Sequence, residues 1–406
     1  MMKFRVTTFA CIAFVCAAYT ISSQAQTFTS LFNFDQTDGD NPYGALVQGA
    51  NGNLYGTTSS QFGGGYGTAF EITRDGVLTT LYTFCSLPSC ADGSYPWSGV
   101  ILANDGNFYG VTSAGGTHNS GTFFKMTPEG TLTTLYSFCS QPNCADGSDP
   151  VARLLQSTNR DFYGVTAYGG TTGYGTVFEI TPAGVLTTLY TFCSRSNCTD
   201  GAIPFGSLVQ AKDGTFYGTT AAGGAYGPYL NGTVYKLTES GELTTIYSFC
   251  SLANCADGRY PSSGLVLARN GKLYGTTGWG GPYLALCNNG TGCGTAFEIT
   301  PRGKLKTLYD FCSKINCADG DLPLSALIQA RSGKLYGSTP YGGENGYGTV
   351  FELTPKGELT TLHDFAYTDG FEPVSALLQA ADGSFYGTTL EGGSAGWGTV
   401  FRISNK

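Results

Sequence analysis

The sequence predicts an all-β fold: a seven-bladed β-propeller of four-stranded blades, its ring closed by the N-terminal strand completing the last blade. Three observations predict it. A Tyr-Gly step recurs at Tyr55, Tyr109, Tyr163, Tyr217, Tyr274, Tyr336 and Tyr386, at spacings of 54, 54, 54, 57, 62 and 50 residues. Each copy holds four short runs rich in β-branched and aromatic residues, bounded by Gly, Asn, Asp and Pro, which is the punctuation of strands and turns. The last copy stops at its third run, Phe401-Arg-Ile-Ser404, while a lone fourth run, Phe28-Thr-Ser-Leu-Phe-Asn-Phe34, opens the chain. A strand carried from one end to the other closes a ring and removes a sheet edge. An open solenoid needs no such exchange, and a membrane barrel would want strands of about ten residues.

Before that strand lies a leader. Lys3 and Arg5 precede an apolar stretch from Val6 to Ile21, and Ser23-Gln24-Ala25 supplies small residues for cleavage, the pattern of a secretory signal. Residues 1–25 are therefore expected to be removed, leaving 26–406 as a single propeller domain with no membrane insertion. Losing the two leader cations takes the formal net charge from −8 to −10. An acidic surface repels phosphate backbones, so nucleic acid is not an expected partner. Only 12% of the residues are charged, against 60 glycines, 26 tyrosines and 26 phenylalanines, a composition suited to many turns and two-sided burial.

The third copy shows the elements in order. Leu154-Leu-Gln156 is the inner strand, Phe162-Tyr-Gly-Val-Thr166 the second and Gly175-Thr-Val-Phe-Glu-Ile-Thr181 the third; the outer strand matches Leu132-Thr-Thr-Leu-Tyr-Ser-Phe138 of the copy before. Both faces of these runs are apolar or hydroxylated, as sheets sandwiched between neighbours require. The strand glycine at Gly56, Gly110, Gly164, Gly218, Gly275, Gly337 and Gly387 is expected to leave room for a neighbouring blade's aromatic ring. The units Asp105-Gly-Asn-Phe-Tyr-Gly-Val-Thr112 and Gly175-Thr-Val-Phe-Glu-Ile-Thr-Pro182 resemble the GloVer (Gloeo/Verruco) tandem repeat family over nearly all of the expected mature chain. That resemblance implies an exported bacterial repeat protein, either fully extracellular or periplasmic. It implies no catalytic chemistry. Such proteins often end in a sorting anchor, and nothing after Phe401 is expected to serve as one.

Between outer and inner strands lie the cysteine loops. Cys85/Cys90, Cys139/Cys144, Cys193/Cys198, Cys250/Cys255 and Cys312/Cys317 share one spacing, and Cys287/Cys293 sits in an insertion of the fifth copy. The first and last copies lose both cysteines together, with loops four residues shorter, from Phe34 to Pro42 and from Phe365 to Pro373. Loss as a pair marks bonding within the loop. Zinc is the rival, but each loop offers two thiols and no histidine, so local disulfides formed in an oxidising compartment are expected.

Strand alternation sorts the loops into two faces. Tight turns of nearly constant length, such as Asn104-Asp-Gly106 and Pro182-Ala-Gly184, occupy one; the cysteine and Gly-Gly loops, with all the length variation, occupy the other. Long braced loops on a rigid scaffold are where binding surfaces sit. On that face the insertions of copies four and five carry Tyr226, Tyr229, Trp279 and Tyr283, and Tyr174, Tyr347 and Trp397, with Tyr66, hold a Gly-aromatic-Gly-Thr position. These rings either stack on sugars or a partner protein or merely cover the longer loops. Aspartates at 38, 92, 146, 200, 257, 319 and 369 precede a glycine in every copy, and capping their own turns is favoured over holding a ligand. Arg153 stands alone in a column that is otherwise Ala45, Gly99, Ser207, Gly264, Ala326 and Ala376. It could grip a carboxylate or sulfate, and pairing with nearby Asp149 is the favoured alternative.

His118 and His363 fall in different copies, and no Ser/His/Asp set, phosphate loop or spaced histidines can be assembled. No catalytic residue, metal or cofactor is assigned. The leading expectation is a secreted binding protein for an extracellular polysaccharide or a surface protein. A polysaccharide hydrolase or lyase with paired acids at the channel mouth and a structural envelope protein are the alternatives.

Overall fold

The computed structural model describes residues 26–405 apart from 61–63, 228–229, 284–286 and 288–289; the expected leader and Tyr229 lie outside the described residues. Among the described residues, twenty-eight strands form seven four-stranded antiparallel sheets arranged as a ring, the predicted propeller. The first blade is β2 (Val47–Gln48), β3 (Leu54–Thr58), β4 (Thr68–Ile72) and β5 (Leu78–Thr83), from the inside outward. Blades two to six repeat this order, and the seventh is β26 (Leu378–Gln379), β27 (Phe385–Thr389), β28 (Thr399–Asn405) and then β1 (Gln26–Asn33). The expected closure is therefore present, with Gln26 opposite Asn405 and Asn33 opposite Thr399. β1 also skips one residue between Ser30 and Phe32, the bulge that the outer strand of the other blades makes against its third strand. It is a true fourth strand rather than an added one.

Second strands are buried on both faces because each blade packs against two others. One core cluster joins Tyr109, Val111, Phe123 and Phe138 of blade two to Leu154, Phe162, Phe178 and Ile180 of blade three. Another joins Tyr386 and Val400 to Leu46, Leu54, Phe70 and Ile72 across the closure.

The strand-glycine expectation needs correction. A Cβ on Gly56 would lie 2.6 Å from Phe70, its own blade's cross-strand partner, and Gly110 and Gly164 face Phe124 and Phe178 in the same way. The notch thus accepts a ring from the same sheet. The neighbour's ring arrives one layer later: Phe34, Phe84, Phe138 and Phe192 meet those third-strand rings edge-on at 5.1–5.4 Å, a favoured aromatic geometry.

Along the inner ring, glutamines tie four of the seven blades to the one before. The side-chain oxygens of Gln156, Gln329, Gln379 and Gln48 accept the backbone N–H of Asn104, Arg269, Arg331 and Ala381 at 2.9–3.0 Å. Among the described residues no helix is long and apolar enough to cross a membrane.

Candidate functional site

Each blade enters its inner strand through one turn, a left-handed residue followed by the blade proline. Asn41, Tyr95, Asp149, Ile203, Tyr260, Leu322 and Glu372 all have φ between 53° and 58°. Such a conformation costs a non-glycine residue about 1–3 kcal/mol, and it persists where surroundings over-determine it. Here the N–H groups of Tyr95, Asp149, Ile203 and Tyr260 bond, at 2.8–3.0 Å, to carbonyls of Tyr66, Ser120, Tyr174 and Asn231 in the preceding blade. The turn brings the residue after each proline to the axis. Tyr43, Trp97, Val151, Phe205, Ser262 and Val374 thereby rim a central cavity of about 570 Å³, a size suited to a small ligand or the end of a chain; the same residues with Leu324 and Tyr260 line an adjoining cavity of about 290 Å³.

The cavity runs from this rim, on the face of the long loops, along the inner strands to Asn104 and Gln156 beside the tight turns. Residues two before the proline, such as Ser148 and Arg259, bridge to the exits of second strands at Tyr168 and Trp279, which places the cysteine and Gly-Gly loops together. Two aromatic stacks border the mouth. Tyr43 lies on Trp97 with ring centroids 5.7 Å apart, and Tyr260 lies on Trp279 at 4.2 Å and 19°. The Arg259 guanidinium stands 5.8 Å from the Trp279 ring. The indole Nε1 atoms of Trp97 and Trp279 are buried without a hydrogen-bond partner.

Below the rim stands Arg153, the one charged side chain lining the cavity among the described residues. The anticipated pair with Asp149 does not form. Asp149 is fixed on both sides by its backbone, its N–H to Ser120 and its carbonyl to the N–H of Ala167 at 2.9 Å, and its carboxylate is not among the salt bridges. Arg153 Nε is buried with no partner, and desolvation lowers the guanidinium's pKa. Desolvation raises the Asp149 carboxyl to about 6. Burial, with a small contribution from the charge of Asp319, raises Asp321 to about 7. Glu372, in the same turn of the last blade, accepts a hydrogen bond from the Tyr341 hydroxyl.

The sequence-picked rings fall in different places. Trp279 is half-buried behind Tyr260. Tyr283 packs on the core of blade five, and Tyr226 is exposed beside a separate shallow cleft with Thr245 and Tyr247. Tyr174 is exposed, whereas Tyr347 and Trp397 pack against cores. None of these rings lines the cavity. The rim residues were missed, although the position after the blade proline varies freely inside an otherwise steady frame. That variability was the available signal.

The six disulfides form as the spacing indicates: Cys85–Cys90, Cys139–Cys144, Cys193–Cys198, Cys250–Cys255, Cys287–Cys293 and Cys312–Cys317. The fifth-copy insertion lays its bridge on the next loop's, with Cys287 Sγ 3.9 Å from Cys317 Sγ and all four sulfurs within 4.8 Å of one another. Bonded in pairs, these sulfurs offer no thiolate to a metal. The loop aspartates act within their turns. Asp146 accepts the N–H and hydroxyl of Ser140, the N–H of Gln141 and the Tyr136 hydroxyl, at 2.7–3.1 Å. Asp92, Asp200, Asp257 and Asp319 repeat this set.

Among solved structures, the chain is similar to the extracellular domain of a protein assigned as a hybrid two-component system of B. thetaiotaomicron (TM-score 0.54, 12% identity). The match covers 92% of this chain and 39% of that one, so the propeller spans well under half of that protein. It is also similar to a protein of Bacteroides uniformis assigned as a 6-phosphogluconolactonase (TM-score 0.50, 16% identity, covering 82% and 88%). At such identities the likeness is one of fold. Curated proteins give no significant match. The model of the Gloeobacter/Verrucomicrobia repeat matches residues 86–286 and 227–406, most of the chain and the stretches where the Tyr-Gly and Gly-Thr-Val-Phe units recur, so the protein belongs to the Gloeobacter/Verrucomicrobia repeat family.

Proposed function

We propose that this protein is an exported binding propeller that holds an extracellular polysaccharide at the mouth of its central cavity. The observation that carries this reading is the rim: stacked Tyr43–Trp97 and Tyr260–Trp279 beside Phe205, around a cavity wide enough for sugar rings. Flat aromatic faces suit the apolar faces of sugars. Six disulfides fit an oxidising compartment outside the cytoplasm.

A second reading, a hydrolase or lyase acting on the same polymer, draws on Asp149 and Asp321, whose carboxyls are raised to about 6 and 7 by burial. A carboxyl that holds its proton near neutrality is what a general acid needs. Neither side chain lines the cavity, which favours binding over cleavage.

The test is retention of the oxidised protein on a panel of insoluble polysaccharides, with new reducing or unsaturated ends assayed in the same supernatants. Wild type is expected to be retained without releasing ends. Trp97→Ala and Tyr260→Ala are each expected to weaken retention about tenfold or more, the scale of losing one stacked ring. Retention unchanged in both variants would remove the rim as the site, and released ends would replace the binding reading with the enzymatic one.

A further inference from the structure

The cavity carries a charge that neither the fold nor the aromatic rim explains. Six of the seven positions at its second layer are small: Ala45, Gly99, Ser207, Gly264, Ala326 and Ala376. The seventh is Arg153, and it is the one charged group lining the cavity of a chain whose formal net charge is −8. A structural arginine would be expected to find a carboxylate, a carbonyl or an aromatic face. This one has none, and its Nε is buried with no partner. Leaving such a group unsatisfied costs free energy, and acidic residues stood close enough in sequence to neutralise it had that been its role.

We propose that Arg153 makes the cavity a receptor for the anionic group, carboxylate or sulfate, of an acidic sugar. The proposal rests on the polysaccharide reading and narrows it. The guanidinium presents a planar fork of donors that matches an oxyanion bidentately, and the small residues around it leave the space such a group would fill. The closed ring adds a constraint on how the ligand enters. All seven blades surround the cavity without a gap, since β1 seals the last sheet. A polymer therefore offers either its end or a side branch, while the flanking sugars rest on the aromatic rim above. Arg153 is half-buried, its Nε out of reach of solvent, and such reduced hydration strengthens its pairing with an oxyanion relative to the same pair in water.

The test measures affinities by calorimetry on the oxidised chain for three matched probes: oligogalacturonate, the same oligosaccharide with its carboxyls reduced to alcohols, and a sulfated galactan oligosaccharide. Wild type is expected to bind at least one acidic probe about tenfold to a hundredfold more tightly than the reduced one, the scale of a charge-assisted hydrogen-bond pair. Arg153→Gln is expected to abolish that preference, bringing the acidic and reduced probes to similar affinity. Arg153→Lys, which keeps the charge but loses the fork, is expected to fall between them. The carboxylated and sulfated arms tell which anion is held, and either one supports the proposal. Because Arg153 has no partner to lose, Arg153→Gln is expected to melt at or above the wild-type temperature; a folded variant with an unchanged acid preference would overturn the proposal. Equal affinity of wild type for acidic and reduced probes would also overturn it, leaving the polysaccharide reading intact. Failure of all three probes to bind, together with no retention on any polysaccharide, would overturn both.

Discussion

At the scale of single residues, the ring that fills each strand-glycine notch is phenylalanine in six blades and Tyr235 in the fourth. Its hydroxyl is packed over Gly218, buried and without a partner, and burial pushes the phenol well above its usual range. An unpaired buried hydroxyl costs about 1–3 kcal/mol. Tyr235→Phe is therefore expected to raise the unfolding free energy by about 1 kcal/mol in denaturant titration, where a loss of stability would show that the hydroxyl is satisfied. The glycine column and the aromatic column were both legible in the sequence. Which sheet supplied the ring was not, because strand register pairs Gly218 directly with Tyr235, and register follows from three-dimensional pairing rather than from composition. Arg153 was legible because it breaks a column of small residues, but its lack of a partner was not. Sequence proximity to Asp149 suggested a pair that does not form among the described residues.

At the scale of elements, the cysteine loops show two devices that hold one shape. The disulfide joins residues five apart, as in Cys139–Cys144, and closing so short a loop stabilises by about 2 kcal/mol at most in the chain-entropy picture. Asp146 independently gathers two backbone N–H groups, a serine and the outer-strand Tyr136. The last blade's loop, which lacks cysteines, keeps the second device: Asp369 accepts the Ala366 N–H, and His363 takes the tyrosine's place with Nε2 3.1 Å from the carboxylate. Replacing Cys139 and Cys144 together by serine is accordingly expected to cost no more than about 2 kcal/mol and to leave ligand affinity near wild type. Equilibrium unfolding and calorimetry would check both, and a much larger loss would make the bridge, not the aspartate, the principal brace. The sequence revealed the pairing and the turn role of the aspartates. It did not reveal the strained residue before each proline, since Ile203 and Leu322 carry no preference for positive φ.

At the scale of the whole molecule, stability depends on joining the ends. β1 pairs with β28 across seven positions and is followed at once by Phe34, which enters the core between the first and last blades. Deleting residues 26–34 is expected to leave β28 as an open edge and the closure core unfilled, giving aggregation or a broadened unfolding transition by size-exclusion chromatography and calorimetry. A monomer that still melts in one sharp step would show that seven blades cohere without their seal. This closure was legible because the copy count left one strand surplus at the front and one missing at the back. The central cavity was less so, because it is built from single residues of seven separate copies. The direction of β1 has a further effect. Gln26 lies opposite Asn405, and the strand then runs toward Asn41 and the long loops, so the first and last described residues both lie at the rear, among the tight turns. A support coupled at Gln26 or Asn405 would therefore hold the ring by its rear and leave the aromatic rim facing the surrounding medium.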